Sequence, residues 1–426
     1  MMETSMGKRL DLYVFLTIII LSFFCIASFL PYAPSADEAR AFGFSDDQIQ
    51  TGKSISFYSQ LLYWCQTSLS VTLLFVLILS TVGRRSADWA LKWTLGFRIP
   101  AALLLGIGYL AAILVLQLPF GLVRFNWLKS IGIYSPEYTL SAWLYDYALG
   151  IAVNLPHQAL IVCGFYAMLI WLPRFWWIVA PLGGGVLGIT YATLAPLLID
   201  PLFNRFEPLS QSQYGDLQPR VQKLIDTAGI PVKEILVMEA SRKGSHTNAY
   251  FSGFGSSRQI VLYDTLLKNH SPEEVESVLA HEIGHWQHDH IFKGILLGIA
   301  ASFLGFWLLD VILRSSVGVT PLNMQSTADP AGMWLILLLL TLGNMLVLIP
   351  ENMISRQFEI QADVASLELA KNPEFFIECQ RKMAIANKSN VAAAPWQRFL
   401  FSSHPTTVQR IRMAQQWSEA NSQKQP

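Results

Sequence analysis

The stretch Ser271-Pro272-Glu273-Glu274-Val275-Glu276-Ser277-Val278-Leu279-Ala280-His281-Glu282-Ile283-Gly284-His285 decides how this 426-residue chain is to be read. It opens as a helix should. Ser271 suits the N-cap, Pro272 the first helical position, and Glu274 completes a capping box. Val275, Val278, Leu279 and Ile283 supply one apolar face. His281 and His285 stand at i and i+4, so a helix brings both imidazoles to one side, where they can share a metal ion. Glu282 follows the first histidine, within reach of a metal-bound water. That is the H-E-x-x-H arrangement of zinc peptidases, in which the metal acidifies the water and the glutamate takes its proton as the oxygen attacks a carbonyl. Such a motif arises by chance in roughly one chain in a hundred of this length. The bland alternative is a pair of surface histidines near a membrane.

Composition identifies the surroundings of this helix. The chain is 52% hydrophobic and 14% charged, against roughly 25% charged in soluble domains. Lipid is therefore the main solvent. Lys plus Arg and Asp plus Glu balance at 30 each, so no basic excess points to nucleic acid. Cys25, Cys65, Cys163 and Cys379 form no C-x-x-C pair and indicate neither a disulfide framework nor a cysteine zinc site.

Seven stretches are long and apolar enough to span a bilayer: Leu12–Leu30, Tyr58–Val82, Ile99–Phe120, Ala148–Leu172, Phe175–Ile199, Phe292–Leu313 and Ala331–Pro350. The first follows Lys8 and Arg9 as a signal peptide would. Its apolar core is too long for one, and no small-residue cleavage site follows in Pro31–Ser35, so it reads as an uncleaved span. Trp171, Trp176 and Trp177 beside Pro173 suggest an interfacial belt. Between Pro201 and His290 charges return. A helical period over Leu217–Ala228, a short strand at Ile235–Met238 and a hairpin from Asn248–Phe254 and Gln259–Tyr263 make a small α+β unit. A second polar segment, Ser355–Pro426, reads as mostly helical. The expected fold is an α-helical multi-span membrane protein with a small α+β zinc-peptidase unit. Its parts are a five-span region (1–200), a protease unit with the zinc-binding helix (201–291), two further spans (292–352) and a C-terminal helical part of the protease unit (353–426).

A catalytic zinc needs a third protein ligand. Neither His288 nor His290 has the spacing of a third histidine in the longer H-E-x-x-H-x-x-G-x-x-H form. A carboxylate is the better candidate. Glu359 and Asp363 lie one turn apart, so one can ligate while the other orients a ligand histidine from behind. Glu351 is a rival to Glu359, and an ordinary solvated acidic face is the plain alternative.

Several stretches together resemble the type I CAAX prenyl proteases, seven-span zinc metallopeptidases related to the HtpX heat-shock proteases. They are Asp200-Pro201-Leu202-Phe203-Asn204-Arg205-Phe206-Glu207-Pro208-Leu209, Ser245-His246-Thr247-Asn248-Ala249-Tyr250-Phe251-Ser252-Gly253, Ile260–Leu267, Ser355-Arg356-Gln357-Phe358-Glu359-Ile360-Gln361-Ala362-Asp363, and Ser403-His404-Pro405 with Arg410 beyond. The likeness covers roughly residues 140–415. Thr247 stands where the family often has Ser. The resemblance implies one Zn2+ per chain held by His281, His285 and Glu359, with Asp363 behind a ligand histidine. It implies His404 and Arg410 as groups that stabilise the oxyanion. Asn248, Ala249 and Tyr250 become the strand edge that holds the substrate. It further implies seven helices around a large water-filled chamber, and a peptide or protein substrate for which a prenyl group is one option. Nothing in the chain identifies a prenylated substrate.

Two other classes compete. A seven-span transporter or receptor would show polar or broken helices mid-membrane, and Asn154, Pro156 and His157 are the one such cluster. A chaperone or quality-control factor could keep this fold without activity. The expected location is multi-pass in a bacterial inner membrane, or in the endoplasmic reticulum membrane if the source is eukaryotic. Lys8, Arg9, Arg84, Arg85, Lys92 and Arg98 place the N-terminus inside and the protease unit outside, whereas the resemblance implies a cytosolic protease unit.

Overall fold

The computed structural model describes residues 18–19, 21–27, 29–30, 35–253, 259–319 and 321–422. Long apolar helices dominate it because backbone polar groups in lipid must be satisfied within the segment. Helix α1 (Asp46–Leu79) leads through the short α2 (Thr81–Trp93) to α3 (Arg98–Ser130), α4 (Leu140–Trp171) and α5 (Trp176–Leu198). The helices α6 (Gln218–Ala228), α7 (Asp264–Asn269) and α8 (Pro272–Gln287) follow, then α9 (His290–Ser315) and α10 (Met333–Ala370). The chain closes with α11 (Pro373–Ala386), α12 (Pro395–Phe401) and α13 (Thr407–Ser422).

Six helices among the described residues are long and apolar enough to cross a membrane, and they overlap the second to seventh predicted spans, three of which run past the helix ends. The first predicted span, Leu12–Leu30, lies partly outside the described residues, and its described part is mostly helical. None of the most apolar window of α4 is buried, against 44% for the segment containing α10. An apolar window so little covered by protein is what a helix in contact with lipid shows.

Two sequence expectations change. The boundary placed at 352 falls inside α10, one unbroken 38-residue helix containing Pro350. At 1.5 Å per residue it is roughly 57 Å long, well over the thickness of a bilayer core. The change of composition near Ser355 therefore marks the end of the apolar segment and not the end of the helix. Trp176 is fully buried instead of interfacial. Its indole donates to Asp310 Oδ1 at 2.6 Å, which satisfies a donor that burial would otherwise leave costly. Arg314 Nε donates to Asp310 Oδ2 at 2.7 Å.

The α+β unit is a four-stranded sheet of β1 (Phe206–Pro208), β2 (Glu234–Met238), β3 (Ala249–Ser252) and β4 (Gln259–Tyr263), in the order β1-β2-β4-β3. β2 and β4 are parallel and the outer pairs antiparallel. The hairpin between β3 and β4 is as expected, and its turn, 254–258, lies outside the described residues. One side of the sheet packs Ile235, Val237, Ile260 and Leu262 against Val275, Leu279 and Ile283 of α8. An antiparallel bridge, Tyr134 to Gly244, ties the α3–α4 connection to this unit. Arg84, Arg85, Lys92 and Arg98 therefore lie at the far end of the spans, as do Arg174 and Arg314.

Candidate metal centre

Helix α8 begins as its sequence dictates. Ser271 Oγ accepts from the Glu274 amide at 3.3 Å, and Glu274 Oε2 accepts from the Ser271 amide at 3.1 Å. Lys382 Nζ on α11 donates to the other Glu274 oxygen at 2.7 Å. That ion pair fixes the start of α8 against the C-terminal segment.

The far half of α8 lies against α10. A Cβ on Gly284 would come within 2.8 Å of Ala365 Cβ and 2.9 Å of Ala362 Cα. Only glycine permits this approach, and it is what sets Glu359 beside the two histidines. Ser366 Oγ, donating to the Ser277 carbonyl at 2.7 Å, locks the same pair of helices. Gly284→Val should therefore separate them. We expect a lowered melting temperature, on the scale of roughly 1–3 kcal/mol for an overpacked core, together with loss of bound metal. Unchanged metal content at an unchanged melting temperature would refute the account.

His281, His285 and Glu359 converge, each offering an atom that lies within 4.8 Å of the others. The two Nε2 atoms are 3.2 Å apart. Glu359 Oε2 lies 3.3 Å from His281 Nε2, and Oε1 lies 3.4 Å from His285 Nε2. Glu359 Oε2 is buried with no hydrogen-bond partner among the described residues. A buried carboxylate with one oxygen beside each imidazole and Oε2 unpartnered is costly by itself, and a cation between the three side chains would remove the cost. The donor set, two imidazoles and a carboxylate, fits zinc with an open position. Glu351 is exposed and does not join the group.

Behind His281 the structure places two expected residues together. His281 Nδ1 is 2.8 Å from Asp363 Oδ1, and Asp363 is fully buried. Arg410 Nε donates to Asp363 Oδ2 at 2.8 Å, Nη2 donates to Oδ1, and Nη2 is 3.3 Å from His281 Nδ1. The Arg410 guanidinium is thus committed to Asp363 at the rear of His281, which differs from the oxyanion role suggested by the resemblance. Neutralising a buried carboxylate there accounts for the placement. His404, whose side chain is 58% exposed, stands 3.3 Å from Glu359 Oε1 at the open side.

The electrostatics suit a cation. Burial opposes charge on His281, yet the adjacent Asp363 and Glu359 carboxylates outweigh it and raise the pKa. Burial and the neighbouring His281 push His285 down. Burial pushes Glu282 up to about 7, against the attraction of His281 and a hydrogen bond from the Phe251 backbone. A dication beside it would lower that value again.

A cleft of about 650 Å3 opens on this group, lined in part by Thr247, Asn248, Gln380, Asn387 and His404. β3 is an edge strand. Asn248 O accepts from the Tyr263 amide at 3.1 Å, so by antiparallel alternation the backbone of Ala249 and Phe251 faces the open edge. Ala249 is itself only 2% exposed, and the cleft reaches this strand at Asn248. Tyr250 packs edge-on against Tyr263 at 6.2 Å.

Sequence reasoning missed three supports. Arg356 Nη1 donates to the Arg398 carbonyl at 2.8 Å and to the Ser402 carbonyl at 2.6 Å, holding the segment that carries His404. Asn387 Oδ1 accepts from the Thr247 amide at 2.9 Å, and its Nδ2 donates to the Thr247 carbonyl at 3.1 Å. His290 stands behind His285. The matching stretches that contain Arg356 were the one available signal for any of these.

Residues 211–418 match the sequence pattern of peptidase family M48. The metalloprotease YhfN of Bacillus subtilis is 26% identical over 401 residues, 92% of each chain. The matched segment, 211–418, is of the M48 peptidase type and holds His281, His285 and Glu359. The chain is a multi-pass membrane metallopeptidase, and the match implies a bound metal. CAAX prenyl protease 1 of Saccharomyces cerevisiae is 33% identical over 244 residues, which is 53% of this chain and 52% of that one. The match to that peptidase therefore spans about half of its length. The crystal structure of Saccharomyces mikatae Ste24p superposes with a TM-score of 0.75 over 97% of both chains at 24% identity, which establishes a shared fold.

Proposed function

We propose that this M48-type peptidase hydrolyses peptide bonds with one Zn2+ held by His281 Nε2, His285 Nε2 and a Glu359 oxygen. What supports this reading above all is the convergence of those three donors around the unpartnered Glu359 Oε2. The chemistry supplied by zinc in this position is Lewis-acid activation of a water and of the scissile carbonyl. Glu282 takes the proton of the attacking water and passes it to the leaving amine. His404, at the open side, donates a hydrogen bond to the developing oxyanion. Asp363, backed by Arg410, keeps the Nδ1 proton of His281 and turns Nε2 toward the metal. Residues 201–291 and 353–426 act as the two halves of one protease unit, an assignment supported by the packing of α8 on α10 and by the Lys382–Glu274 pair.

The test is zinc content per purified chain in detergent, combined with hydrolysis of casein and of matched C-terminal peptides with and without a farnesyl group. A stoichiometric zinc with cleavage of either substrate is expected. A chain holding zinc that cleaves neither would overturn the reading. Preference for the farnesylated peptide would identify a CAAX-type substrate, consistent with the named yeast relative. Cleavage of casein alone would identify a quality-control peptidase of the HtpX kind. The setting is the bilayer, with a bacterial inner membrane favoured by the match to YhfN.

Asp363→Asn should keep the volume and remove the charge behind His281. We expect the zinc dissociation constant to rise about tenfold or more, as losses of such outer partners do. Chelator competition measures it, and a constant within twofold of the parent would remove Asp363 from the site.

Substrate is held extended at the β3 end that the cleft reaches, beside Asn248, because the burial of Ala249 closes the strand edge beyond it. Peptides N-methylated singly on each side of the cut should then include one that fails, although the same position tolerates most side chains. Equal cleavage of all of them would exclude backbone pairing.

A further inference from the structure

We propose that His290 and Gln361 form a two-step relay that fixes the tautomer of His285. The inference rests on the metal-binding role given to His285 above. His285 Nε2 faces the metal centre, and its other nitrogen, Nδ1, lies 2.9 Å from His290 Nδ1. His290 Nε2 lies 2.9 Å from Gln361 Oε1. Two nitrogens at that distance share one proton between them, so one imidazole donates and the other accepts. The direction is decided at the far end. The Gln361 carbonyl oxygen can only accept, so His290 carries its proton on Nε2. His290 Nδ1 is then a bare lone pair, and His285 Nδ1–H donates to it. His285 Nε2 is left with its lone pair free for the metal. Were the Gln361 amide to present its NH2 group instead, each proton would move one place, and His285 Nε2 would carry a hydrogen where the metal belongs.

The placement of His290 is built into the backbone. Asp289 takes a left-handed conformation, φ 52°, which is uncommon outside glycine. It ends the turn after α8 and starts α9 at His290, so that the ring folds back behind His285. The ring is then fixed on its face. Phe358 stacks on it at 4.2 Å with an interplanar angle of 10°, and His290 is 5% exposed. Phe358 and Gln361 flank Glu359 on α10, so one helix supplies the third metal ligand, the stacking surface and the acceptor. Asp363 and Arg410 serve His281 from behind, and the relay serves His285 in the same way through neutral groups.

The test is the zinc dissociation constant, measured by chelator competition on the full-length protein in detergent, with the melting temperature as a check on folding. His290→Phe keeps the stacking and removes the acceptor, and should raise the constant roughly 10–100-fold. Gln361 is exposed, so its substitutions leave the core intact. Gln361→Glu keeps an acceptor and should hold zinc within about threefold of the parent, whereas Gln361→Lys, a donor only, should weaken it about tenfold or more. A folded His290→Phe protein with an unchanged constant would overturn the relay, and so would equal constants for the Glu and Lys variants. In either case the parent still binds zinc, so the metal reading survives. A parent protein that holds no zinc would bring down both.

Discussion

Glu282→Gln is expected to leave zinc in place and to lower peptide hydrolysis by at least about a hundredfold, the scale of lost acid–base catalysis. Glu282 is not among the converging donors, so its removal should not empty the site. Gln keeps the volume, and its carbonyl can still accept the hydrogen bond from the Phe251 backbone that bears on Glu282. What it cannot do is take a proton. Burial pushes the Glu282 carboxyl up and a neighbouring dication would bring it down again, so the group stands ready to take a proton from water and give it up to the leaving amine. The loss should therefore fall on kcat with little change in KM, because the interaction removed belongs to the transition state. Zinc per chain by elemental analysis and initial rates on one peptide measure both halves. Near-normal turnover at full zinc content would remove Glu282 from the mechanism. Loss of zinc together with activity would move it into the ligand set.

Much of this was legible in the residues because the governing rules are local. The capping box at Ser271 and Glu274 fixed the start of α8, and with it the face that His281 and His285 share. Apolar length located the spans. Glu359 was different. Spacing alone left Glu351 open, since both lie in the same helical stretch, and only the matching S-R-x-x-E-x-Q-A-D pattern separated them. Packing explains why no local rule could. Glu359 reaches the histidines through Gly284, whose missing side chain admits Ala362 and Ala365, and that contact joins residues far apart in sequence. The same holds for Arg356, whose acceptors are the carbonyls of Arg398 and Ser402, and for Asn387 on Thr247. His290 lacks the spacing of a third ligand. It stands behind a ligand, a role for which linear spacing has no signature. Trp176 reads as interfacial by its neighbours in sequence, yet Asp310 satisfies its indole and allows full burial.

Glu359→Ala should lose zinc and activity together, while Glu351→Ala should keep both. The geometry separates the two carboxylates plainly. Glu359 is 6% exposed, with its oxygens 3.3 Å from His281 Nε2 and 3.4 Å from His285 Nε2. Glu351 lies eight residues earlier on the same helix, which at 1.5 Å per residue is roughly 12 Å away along the axis. Without Glu359 only two imidazoles remain, and a catalytic zinc site ordinarily has three protein ligands. The loss of affinity should exceed the roughly hundredfold that removal of an outer partner can cause. It should therefore exceed the effect of Asp363→Asn measured in the same assay. His404 is the nearest group that could step in, at 3.3 Å from a Glu359 oxygen, so Glu359→Ala is best compared with the Glu359→Ala, His404→Ala double variant. Equal emptiness of the two would leave Glu359 as the third ligand. Full zinc in Glu359→Ala with an empty Glu351→Ala site would reverse the assignment, and would mean that the pairing of α8 with α10 through Gly284 does not set the metal centre.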